Sequence, residues 1–259
     1  MDKDNFRRND RAGWLQGPAA TCSSVPAAAA DPWRLILLGA PGVGKGTQAA
    51  ILNKQLRACH LSTGDVFRAA KAQSDCELST AMKSALEYMR RGDLVPDGFV
   101  LAMVRERSAC LRCGGGFILD GFPRTLEQAE ALSDLMKAER LPLTAVINYE
   151  LPIEQIVARL GGRVTCEKCR AVLHVTERPP KIAGICDVCH GKLFQREDDR
   201  PESIRIRLEA YDRSTLPLIQ FYKRAGLLLT IAATGAPQDI CSKTLTALTA
   251  WRARQVASA

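Results

Sequence analysis

The chain has 259 residues, of which 46% are hydrophobic and 25% are charged, and its formal net charge is +8. This length and composition suit one α/β domain with insertions or two small domains, and the lack of any run of eighteen apolar residues argues against a transmembrane helix. An excess of basic residues is typical of proteins with polyanionic partners, either nucleic acid or free nucleotides. The net charge alone does not distinguish these two kinds of partner from a basic surface that binds neither.

The first 32 residues differ in composition from the rest of the chain. They mix basic and acidic side chains and then become rich in alanine and proline. Because they lack an apolar core segment, they do not resemble a secretory signal, and their acidic residues argue against an organelle transit peptide. We therefore expect a disordered extension at 1–32, followed by a folded domain at 33–259.

Short apolar segments alternate with longer amphipathic segments from residue 34 onward. The predicted strands are 34–38, 58–61, 117–120, 144–148 and 227–231. The predicted helices are 45–56, 64–73, 78–91, 97–112, 125–138, 152–161, 201–224 and 237–255. This alternation predicts an α/β fold with a doubly wound, parallel, five-stranded sheet, which binds ligands at the carboxyl ends of its strands.

Two stretches interrupt the alternation, and both are predicted to be insertions into the core. Residues 62–95 have a helical pattern, whereas 162–199 contain two cysteine pairs and few helical signals. Insertions above a site at the strand ends are natural clamps or lids. The core is then expected to comprise 33–61, 96–161 and 200–259.

A glycine-rich loop at 39–47, GAPGVGKGT, follows the first predicted strand and leads into the first long helix. Glycines allow backbone N–H groups to approach phosphate oxygens, and the helix N-terminus adds a positive field at the same place. Lys45 can then reach the β- and γ-phosphates of a nucleoside triphosphate. The expected phosphate-binding residues are Gly42, Val43, Gly44, Lys45, Gly46 and Thr47. The alternative is a glycine-rich turn without a ligand.

An apolar strand that ends in Asp120 predicts a second part of this site. After a phosphate-binding loop, an aspartate at a strand end suits a Mg²⁺ ion, which it often holds through water. The alternative is that Asp120 caps the helix that follows.

Four of the ten cysteines form two C-x-x-C pairs with a sixteen-residue spacer, which is a strong pattern for tetrahedral Zn²⁺. The expected ligands are Cys166, Cys169, Cys186 and Cys189. Four thiolates leave no open position, so the metal would be structural. His190 could replace Cys189, and iron could occupy the same thiolates. The chain is expected in the cytoplasm, where Cys110 and Cys113 would stay reduced.

The loop spelling G-x-P-G-x-G-K-G-T, together with the run DGFPR at 120–124 and Gln128, resembles adenylate kinases. The resemblance extends from residue 34 to about 235. It implies the long form of that family with a zinc-binding lid, in which 62–95 binds AMP and 162–199 closes over ATP. The reaction it implies is Mg²⁺-dependent, ATP + AMP ⇌ 2 ADP, and maintains the adenine nucleotide balance.

The resemblance also implies roles for individual residues. AMP would be bound by Thr63, Arg68, Asp93, Val95, Gly121, Arg124, Gln128, Arg196 and Arg207. ATP would be bound by the loop residues above and by Arg159, Arg163, Val172, Leu173 and Gly235. Catalysis would depend on Lys45, Asp120, Arg124, Arg159, Arg196 and Arg207, with Asp198 and Asp199 orienting the lid. The alternatives are a helix cap at Thr63 and surface charges or salt bridges at the arginines.

The lid departs from the family pattern. Val172 and Leu173 stand where long-form lids commonly have Thr-Tyr or Val-Tyr, and Val164 stands where many members carry a second arginine. The implied partners are ATP, AMP and ADP, without nucleic acid or membrane, and the chain is expected to be a monomer. Three alternatives stay open, namely a UMP or CMP kinase, a GTP-dependent AMP kinase, and a zinc-ribbon module that binds nucleic acid.

Overall fold

A computed structural model describes residues 12–16, 29–70, 80–169 and 171–257. Its main sheet consists of the strands β1 Trp33–Leu38, β2 Cys59–Ser62, β3 Gly116–Asp120, β4 Ala145–Glu150 and β8 Leu228–Ala232. These five strands are parallel and lie in the order β2-β3-β1-β4-β8. The predicted doubly wound parallel sheet is therefore confirmed.

The strand register brings the carboxyl ends of the strands to one edge of the sheet. Asp120, the last residue of β3, pairs with Ser62 of β2 and with Leu37 of β1. Leu38 pairs in turn with Asn148 of β4. The loops that follow β1, β2 and β3 therefore leave the same edge, and their residues are neighbours in space although they are far apart in sequence.

From residue 29 onward, the described helices agree with the predicted pattern except at two breaks, while the predicted helical residues 71–73 and 78–79 lie outside the described residues. The α-helices are α1 Ala12–Gln16, α2 Lys45–Leu56, α3 Thr63–Ala70, α4 Thr80–Arg91, α5 Asp97–Glu106, α6 Leu126–Ala138, α7 Ile153–Gly161, α8 Pro201–Ala210, α9 Pro217–Arg224 and α10 Pro237–Ala257. The predicted helix at 97–112 ends as a 3-10 turn, Ser108–Arg112. The predicted helix at 201–224 is divided by a π-helical turn, Tyr211–Thr215, just before Pro217, which has no backbone N–H to continue the ladder. Within the described residues, no helix is both long and apolar enough to cross a membrane.

Alternating side chains of the strands fill a separate core on each face of the sheet. On one face, Ile36, Phe117 and Leu119 pack with helices α3, α5 and α6. On the other face, Leu35 and Ile118 pack with helices α2 and α10. Both layers are closed by helices, as a parallel sheet requires.

The lid insertion has a small sheet of its own. It consists of β5 Arg163–Cys166, β6 Val172–His174 and β7 Leu193–Phe194, antiparallel in the order β6-β5-β7. The buried residues of its hydrophobic core are Cys166, Leu173, Cys186 and Leu193. Such a core is too small to stabilise the segment alone, so cross-linking by a metal would have a large effect on its folding.

The prediction of disorder throughout 1–32 is wrong for α1. Trp14 is fully buried, with 0% of its side chain exposed, and it belongs to the same core as Phe117 and Leu119. Near the end of the segment, Asp31 forms a 2.9 Å ion pair with Arg252 of α10. The remaining predictions for 1–11 and 17–28 lie outside the described residues.

The expectation that Cys113 stays reduced is also wrong. Cys113, which directly follows the 3-10 turn Ser108–Arg112, forms a disulfide with Cys59, the first residue of β2, and their Cα atoms are 6.6 Å apart. The pairing was not visible in the sequence because the two cysteines are 54 residues apart. Cys110 is half-buried and packs against the core that contains Phe117.

Candidate active site

The glycine-rich loop after β1 has a backbone that side chains would disrupt. A Cβ at Gly39 would lie 2.5 Å from the carbonyl oxygen of Tyr149, and a Cβ at Gly42 would lie 2.6 Å from Leu160. Both residues and Gly44 have positive φ, and α2 begins directly after Gly44. The loop is therefore packed closely on the sheet while its far side remains available for a ligand, at the positive end of α2.

Lys45 lies folded over this loop. Its ammonium group donates to the carbonyl oxygens of Gly39, at 2.6 Å, and Ala40, at 2.9 Å. Burial lowers the pKa of Lys45 from 10.5 to about 7. The charge of Asp120 opposes this lowering, whereas those of Arg124 and other arginines add to it. The lysine thus lies among other positive charges, and an anionic ligand bound there would oppose the lowering of its pKa.

Asp120 lies at the carboxyl edge of the sheet, beside the start of α2. Its Oδ2 atom is 3.3 Å from Nε2 of His60, and a Cβ on Gly46 would lie 3.4 Å from the same oxygen. Burial tends to raise the pKa of Asp120, but the hydrogen bond from His60 and the charge of Lys45 hold it below its ordinary value. The carboxylate is therefore ionised and close to where phosphates would lie on the loop.

The loop after β3 joins Thr63 and Arg124 through one carbonyl group. The oxygen of Gly121 accepts hydrogen bonds from the Thr63 hydroxyl and from Nε of Arg124, both at 2.9 Å. Gly121 has a φ of 81°, and a Cβ there would lie 3.0 Å from the Thr63 hydroxyl. The shared hydrogen bond to Gly121 holds the guanidinium of Arg124 in one orientation. The Phe122–Pro123 peptide bond in this loop is cis.

Gln128 is 1% exposed, and both ends of its amide are bonded within the chain. Its oxygen accepts from the backbone N–H of Arg124 at 2.8 Å, and its nitrogen donates to Oδ1 of Asp97 at 2.7 Å. The other oxygen of Asp97 accepts from the Thr125 hydroxyl at 2.7 Å. Asp97 therefore orients the residue that was expected to read the adenine of AMP.

A small cavity of about 30 Å³ lies between α3, α4 and the loop after β3. It is lined by Thr63, Gly64, Phe67, Met89, Asp93, Leu94, Val95, Val100, Gly121, Arg124 and Gln128. Six of the residues predicted to bind AMP are in this set. Arg68 is not among these lining residues, and its guanidinium is paired with Asp65 at 2.6 Å. The cavity holds roughly one water molecule, so a nucleotide could enter only if the surrounding elements moved apart.

A buried aspartate joins the lid to the core. Asp199 has no exposed side-chain surface and accepts two hydrogen bonds from Arg163, of which the one from Nε is 2.7 Å long. It also accepts from Arg207 at 2.9 Å, and Asp198 lies 3.0 Å from the same guanidinium. Arg196 donates from Nε to the Thr165 hydroxyl at 2.9 Å. These contacts hold arginines from the lid and from α8 in one network.

The arginines are close enough to influence one another. Burial and the charge of Arg207 together lower the pKa of Arg124 to about 10, although Asp120 opposes this change. Burial and the charges of Arg68 and Arg163 lower the pKa of Arg196 to about 9. Guanidinium groups gathered in this way at low dielectric form a ready site for phosphate oxygens.

Arg159 of α7 connects the glycine-rich loop with the loop after β8. Arg159 donates to the carbonyl oxygens of Val43, at 3.4 Å, and Ala233, at 3.3 Å. Gly235 follows with a φ of 99°, and Gln48 of α2 donates to the oxygen of Pro237 at 2.9 Å. The structure thus brings Arg159 and the segment that contains Gly235 close to the loop at 39–47 and the helix that follows it.

Two of the three lid residues that depart from the family pattern, Val172 and Leu173, lie on β6, and the third, Val164, lies on β5. Leu173 is 6% exposed and packs in the core of the lid, so its side chain faces away from any ligand. The carbonyl oxygen of Val172 accepts from the guanidinium of Arg178. Any contact that Val172 and Leu173 make with a nucleotide therefore involves their backbone or the half-buried side chain of Val172.

Comparison with known proteins agrees with this geometry. The model of the family described as "Adenylate kinase" matches residues 37–227, which is more than half of the chain. The chain belongs to the adenylate kinase family. It is 47% identical over 216 residues to an adenylate kinase of Streptomyces coelicolor, which covers 83% of this chain and 98% of that protein. An adenylate kinase of Caldicellulosiruptor bescii is 46% identical over 215 residues, which are 83% of this chain and 98% of the relative.

In this adenylate kinase family member, the structure also brings the four predicted metal ligands together. The sulfur atoms of Cys166, Cys169, Cys186 and Cys189 all lie within 4.8 Å of one another. Two pairs are 3.4 and 3.6 Å apart, whereas the Zn–S bond of about 2.3 Å gives an S–S separation of about 3.8 Å in a tetrahedron. The donor set therefore fits Zn²⁺. His190 is not part of the cluster, and its φ of 55° lies in the turn next to Cys189.

Three residues that position this adenylate kinase site were missed in the sequence. Thr215, in the π-helical turn, donates from its hydroxyl to the carbonyl oxygen of Arg124 at 2.9 Å. Asp97 orients Gln128, and His60 orients Asp120. Asp97 did carry a signal, because an acidic residue after proline is typical of a helix N-terminus, but its partner 31 residues away carried none.

Proposed function

We propose that this chain catalyses the reversible, Mg²⁺-dependent transfer of a phosphoryl group from ATP to AMP, which gives two ADP. In this way it would maintain the balance of adenine nucleotides. The observation that carries the proposal is the convergence of Lys45, Arg124 and Arg207 at one edge of the sheet, between the glycine-rich loop and the cavity beside Gln128. This arrangement suits two phosphorylated ligands placed end to end.

The donor nucleotide is proposed to bind on the glycine-rich loop. Backbone N–H groups of 42–47 and the N-terminus of α2 would hold its phosphates, and Lys45 would leave its carbonyl partners for the β- and γ-phosphates. Arg159 and Arg163 would bind the same phosphates from the lid side. Asp120 would hold Mg²⁺, which supplies charge neutralisation to the phosphates when it is bound, and Thr47 would contact the phosphates.

The acceptor nucleotide is proposed to bind in the cavity beside Gln128. Arg124 can grip its phosphate with two parallel hydrogen bonds, and Arg68, Arg196 and Arg207 would surround the same group. Gln128 would read the adenine edge, with Asp97 fixing the orientation of its amide. The main chain of 93–95 and the side chain of Thr63 would line the base.

The chemical step needs positioning more than covalent help. An oxygen of the AMP phosphate attacks the γ-phosphorus in line while the bond from that phosphorus to the β–γ bridging oxygen breaks. ADP leaves with the electron pair, and no covalent enzyme intermediate forms. The arginines would stabilise the charge that spreads over the transferred group, which is the role that preorganised donors have in such reactions.

The two insertions are proposed to move as separate units on the core of 33–61, 96–161 and 200–259. The segment 62–95 would open to admit AMP, and the lid at 162–199 would close over ATP and exclude water. The cavity volume of about 30 Å³ supports such opening, because it is far below what a nucleotide needs.

The lid metal is proposed to be a structural Zn²⁺. Four cysteines give a closed site without a position for substrate, and the small lid core supports a folding role. Metal analysis of the purified protein distinguishes zinc from iron.

We further propose a cytoplasmic monomer that acts on free nucleotides, without a nucleic acid or membrane partner. Gel filtration tests the oligomeric state. A disulfide such as Cys59–Cys113 is rare in the cytoplasm, so fractionation of cells tests the location directly.

The deciding experiment is a coupled assay of ADP formation from ATP and AMP with Mg²⁺. The proposal predicts turnover with this pair and at least tenfold less when UMP or CMP replaces AMP, or when GTP replaces ATP. If the purified protein binds oligonucleotides in a salt-sensitive manner and forms no ADP, the zinc-ribbon alternative is the better description.

A further inference from the structure

Trp14 is buried beside the proposed acceptor site although it lies outside the residues 37–227 that match the family model. Its indole N–H donates to the carbonyl oxygen of Ser62 at 3.0 Å. Ser62 is the last residue of β2, and Thr63 begins α3. The N-terminal segment therefore reaches the point where the chain leaves the core sheet and enters the AMP-binding insertion.

The backbone of α1, the short helix that contains Trp14, makes a second contact with the core. The carbonyl oxygen of Trp14 accepts a 2.8 Å hydrogen bond from Nε of Arg107, which is 8% exposed. Arg107 directly follows α5, whose first residue is Asp97. Trp14 thus connects the start of the insertion with the helix that orients Gln128.

A continuous set of contacts leads from the indole to the acceptor arginine. Trp14 holds Ser62, and the adjacent Thr63 donates to the carbonyl oxygen of Gly121 at 2.9 Å. The same oxygen accepts from Nε of Arg124 at 2.9 Å. A shift of the strand end at Ser62 would therefore move Thr63 and loosen the group that holds Arg124.

We infer that Trp14 is a positioning residue for the acceptor nucleotide, which it serves by fixing the junction between β2 and the AMP-binding insertion. The inference rests on the proposed function. Without the indole hydrogen bond, the junction samples other arrangements, and the apparent affinity for AMP falls in proportion to the competent fraction. A tryptophan that only fills the core would affect stability and leave AMP affinity unchanged.

The test uses three variants of the full-length protein. Trp14→Phe keeps an aromatic ring but cannot donate to Ser62, and Trp14→Ala removes both ring and donor. Trp251→Phe is the matched control, because the Trp251 indole donates to a backbone carbonyl, that of Thr144, at 2.9 Å, and packs on the opposite face of the sheet. Steady-state kinetics give kcat and the KM values for AMP and ATP, and thermal unfolding gives Tm.

Trp14→Phe is expected to raise the KM for AMP about two- to tenfold, the range that corresponds to one buried hydrogen bond. The KM for ATP is expected to change by less than about twofold in the same variant, and the KM for AMP by less than about twofold in Trp251→Phe. Trp14→Ala is expected to lower Tm most, because it leaves a cavity. If Trp14→Phe and Trp251→Phe have the same KM for AMP, the positioning role is refuted.

A second measurement leaves Trp14 itself unchanged. Trp14 is the sole tryptophan in a Trp33→Phe, Trp251→Phe protein, since the chain has three. AMP without ATP is expected to change its fluorescence, with saturation near the KM for AMP. Constant emission during a titration that calorimetry shows to be saturating would overturn the inference. An inactive wild-type protein would instead count against the proposed function.

Discussion

Lys45 provides the sharpest test of the donor site, because its protonation should depend on the ligand. One pKa unit corresponds to about 1.4 kcal/mol, so a lowering from 10.5 to about 7 is a cost of up to about 5 kcal/mol for the charged form. A bound triphosphate places negative charge beside the ammonium group and removes that cost. Binding at a pH above 7 should therefore be accompanied by uptake of a proton.

The size of this uptake follows from the pKa. With a value of about 7 in the free protein, Lys45 is about 10% protonated at pH 8 and about 90% protonated at pH 6. Calorimetry of ATP binding at pH 8, in buffers that differ in ionisation enthalpy, should detect uptake of about 0.9 proton. The uptake should fall to about 0.1 at pH 6, after correction for the titration of ATP itself.

The Lys45→Met variant tests whether Lys45 itself takes up this proton. This variant should take up no proton at pH 8 and should lose roughly 10²–10³-fold in kcat, as expected when one preorganised charge is removed from a transition state. Equal proton uptake in the wild type and Lys45→Met would refute our assignment of Lys45 to the phosphates. A kcat within about threefold of the wild type would do the same.

The lowered pKa of Lys45 also determines how the free energy of unfolding changes with pH. Between pH 7 and 10.5 the unfolded chain holds the Lys45 proton while the free folded protein has lost it. The free energy of unfolding should therefore rise with pH across this window, through the contribution of this residue. In Lys45→Met the rise should be smaller, which denaturant titrations at pH 7 and pH 9.5 can measure.

Three further substitutions test the acceptor site, the lid and the metal. Asp97→Ala removes the partner of the buried Gln128 amide and should raise the KM for AMP roughly tenfold, whereas Asp134→Ala on the exposed face of α6 should not. Asp199→Asn weakens the buried clamp on Arg163 and Arg207 and should lower Tm by roughly 10 °C, while Glu209→Gln, in an exposed pair, should change Tm by less than about 2 °C. Cys166→Ala should lose the bound metal and lower Tm while kcat at low temperature is less affected, and retention of one zinc per chain would show that the ligands are wrong.

The core of the fold was predictable because its signals are local. Each of the five parallel strands is a short apolar run, and the loop at 39–47 has a recognisable glycine spacing. The contacts of Gly39 with Tyr149 and of Gly42 with Leu160 are visible only in the structure. The cysteine quartet was equally clear, since its two-residue spacings define knuckles that come together in the structure.

The features that were missed depend on contacts between distant segments. The burial of Trp14 depends on segments that are distant in sequence, such as Ser62 and Arg107, and the composition of its alanine- and proline-rich neighbours gives no sign of it. The disulfide between Cys59 and Cys113 depends on the order of β2 and β3 in the sheet. The π-helical turn at Tyr211–Thr215 has a local cause in Pro217. Its contact with the site could not be predicted, because Thr215 donates to the carbonyl oxygen of the distant Arg124.

Charge balance explains why these distant contacts gather at one edge of the sheet. The cationic groups there are Lys45, Arg68, Arg124, Arg163, Arg196 and Arg207, and the acidic groups that face them are Asp65, Asp120, Asp198 and Asp199. The acids orient the arginines but do not neutralise them, so the free protein retains a buried positive surplus. Because nucleotide phosphates remove this surplus and the unfolded chain offers no such site, substrates should stabilise the fold in proportion to their affinity. The same interactions that would prepare the site for phosphoryl transfer thus make the free protein less stable than its ligand complexes.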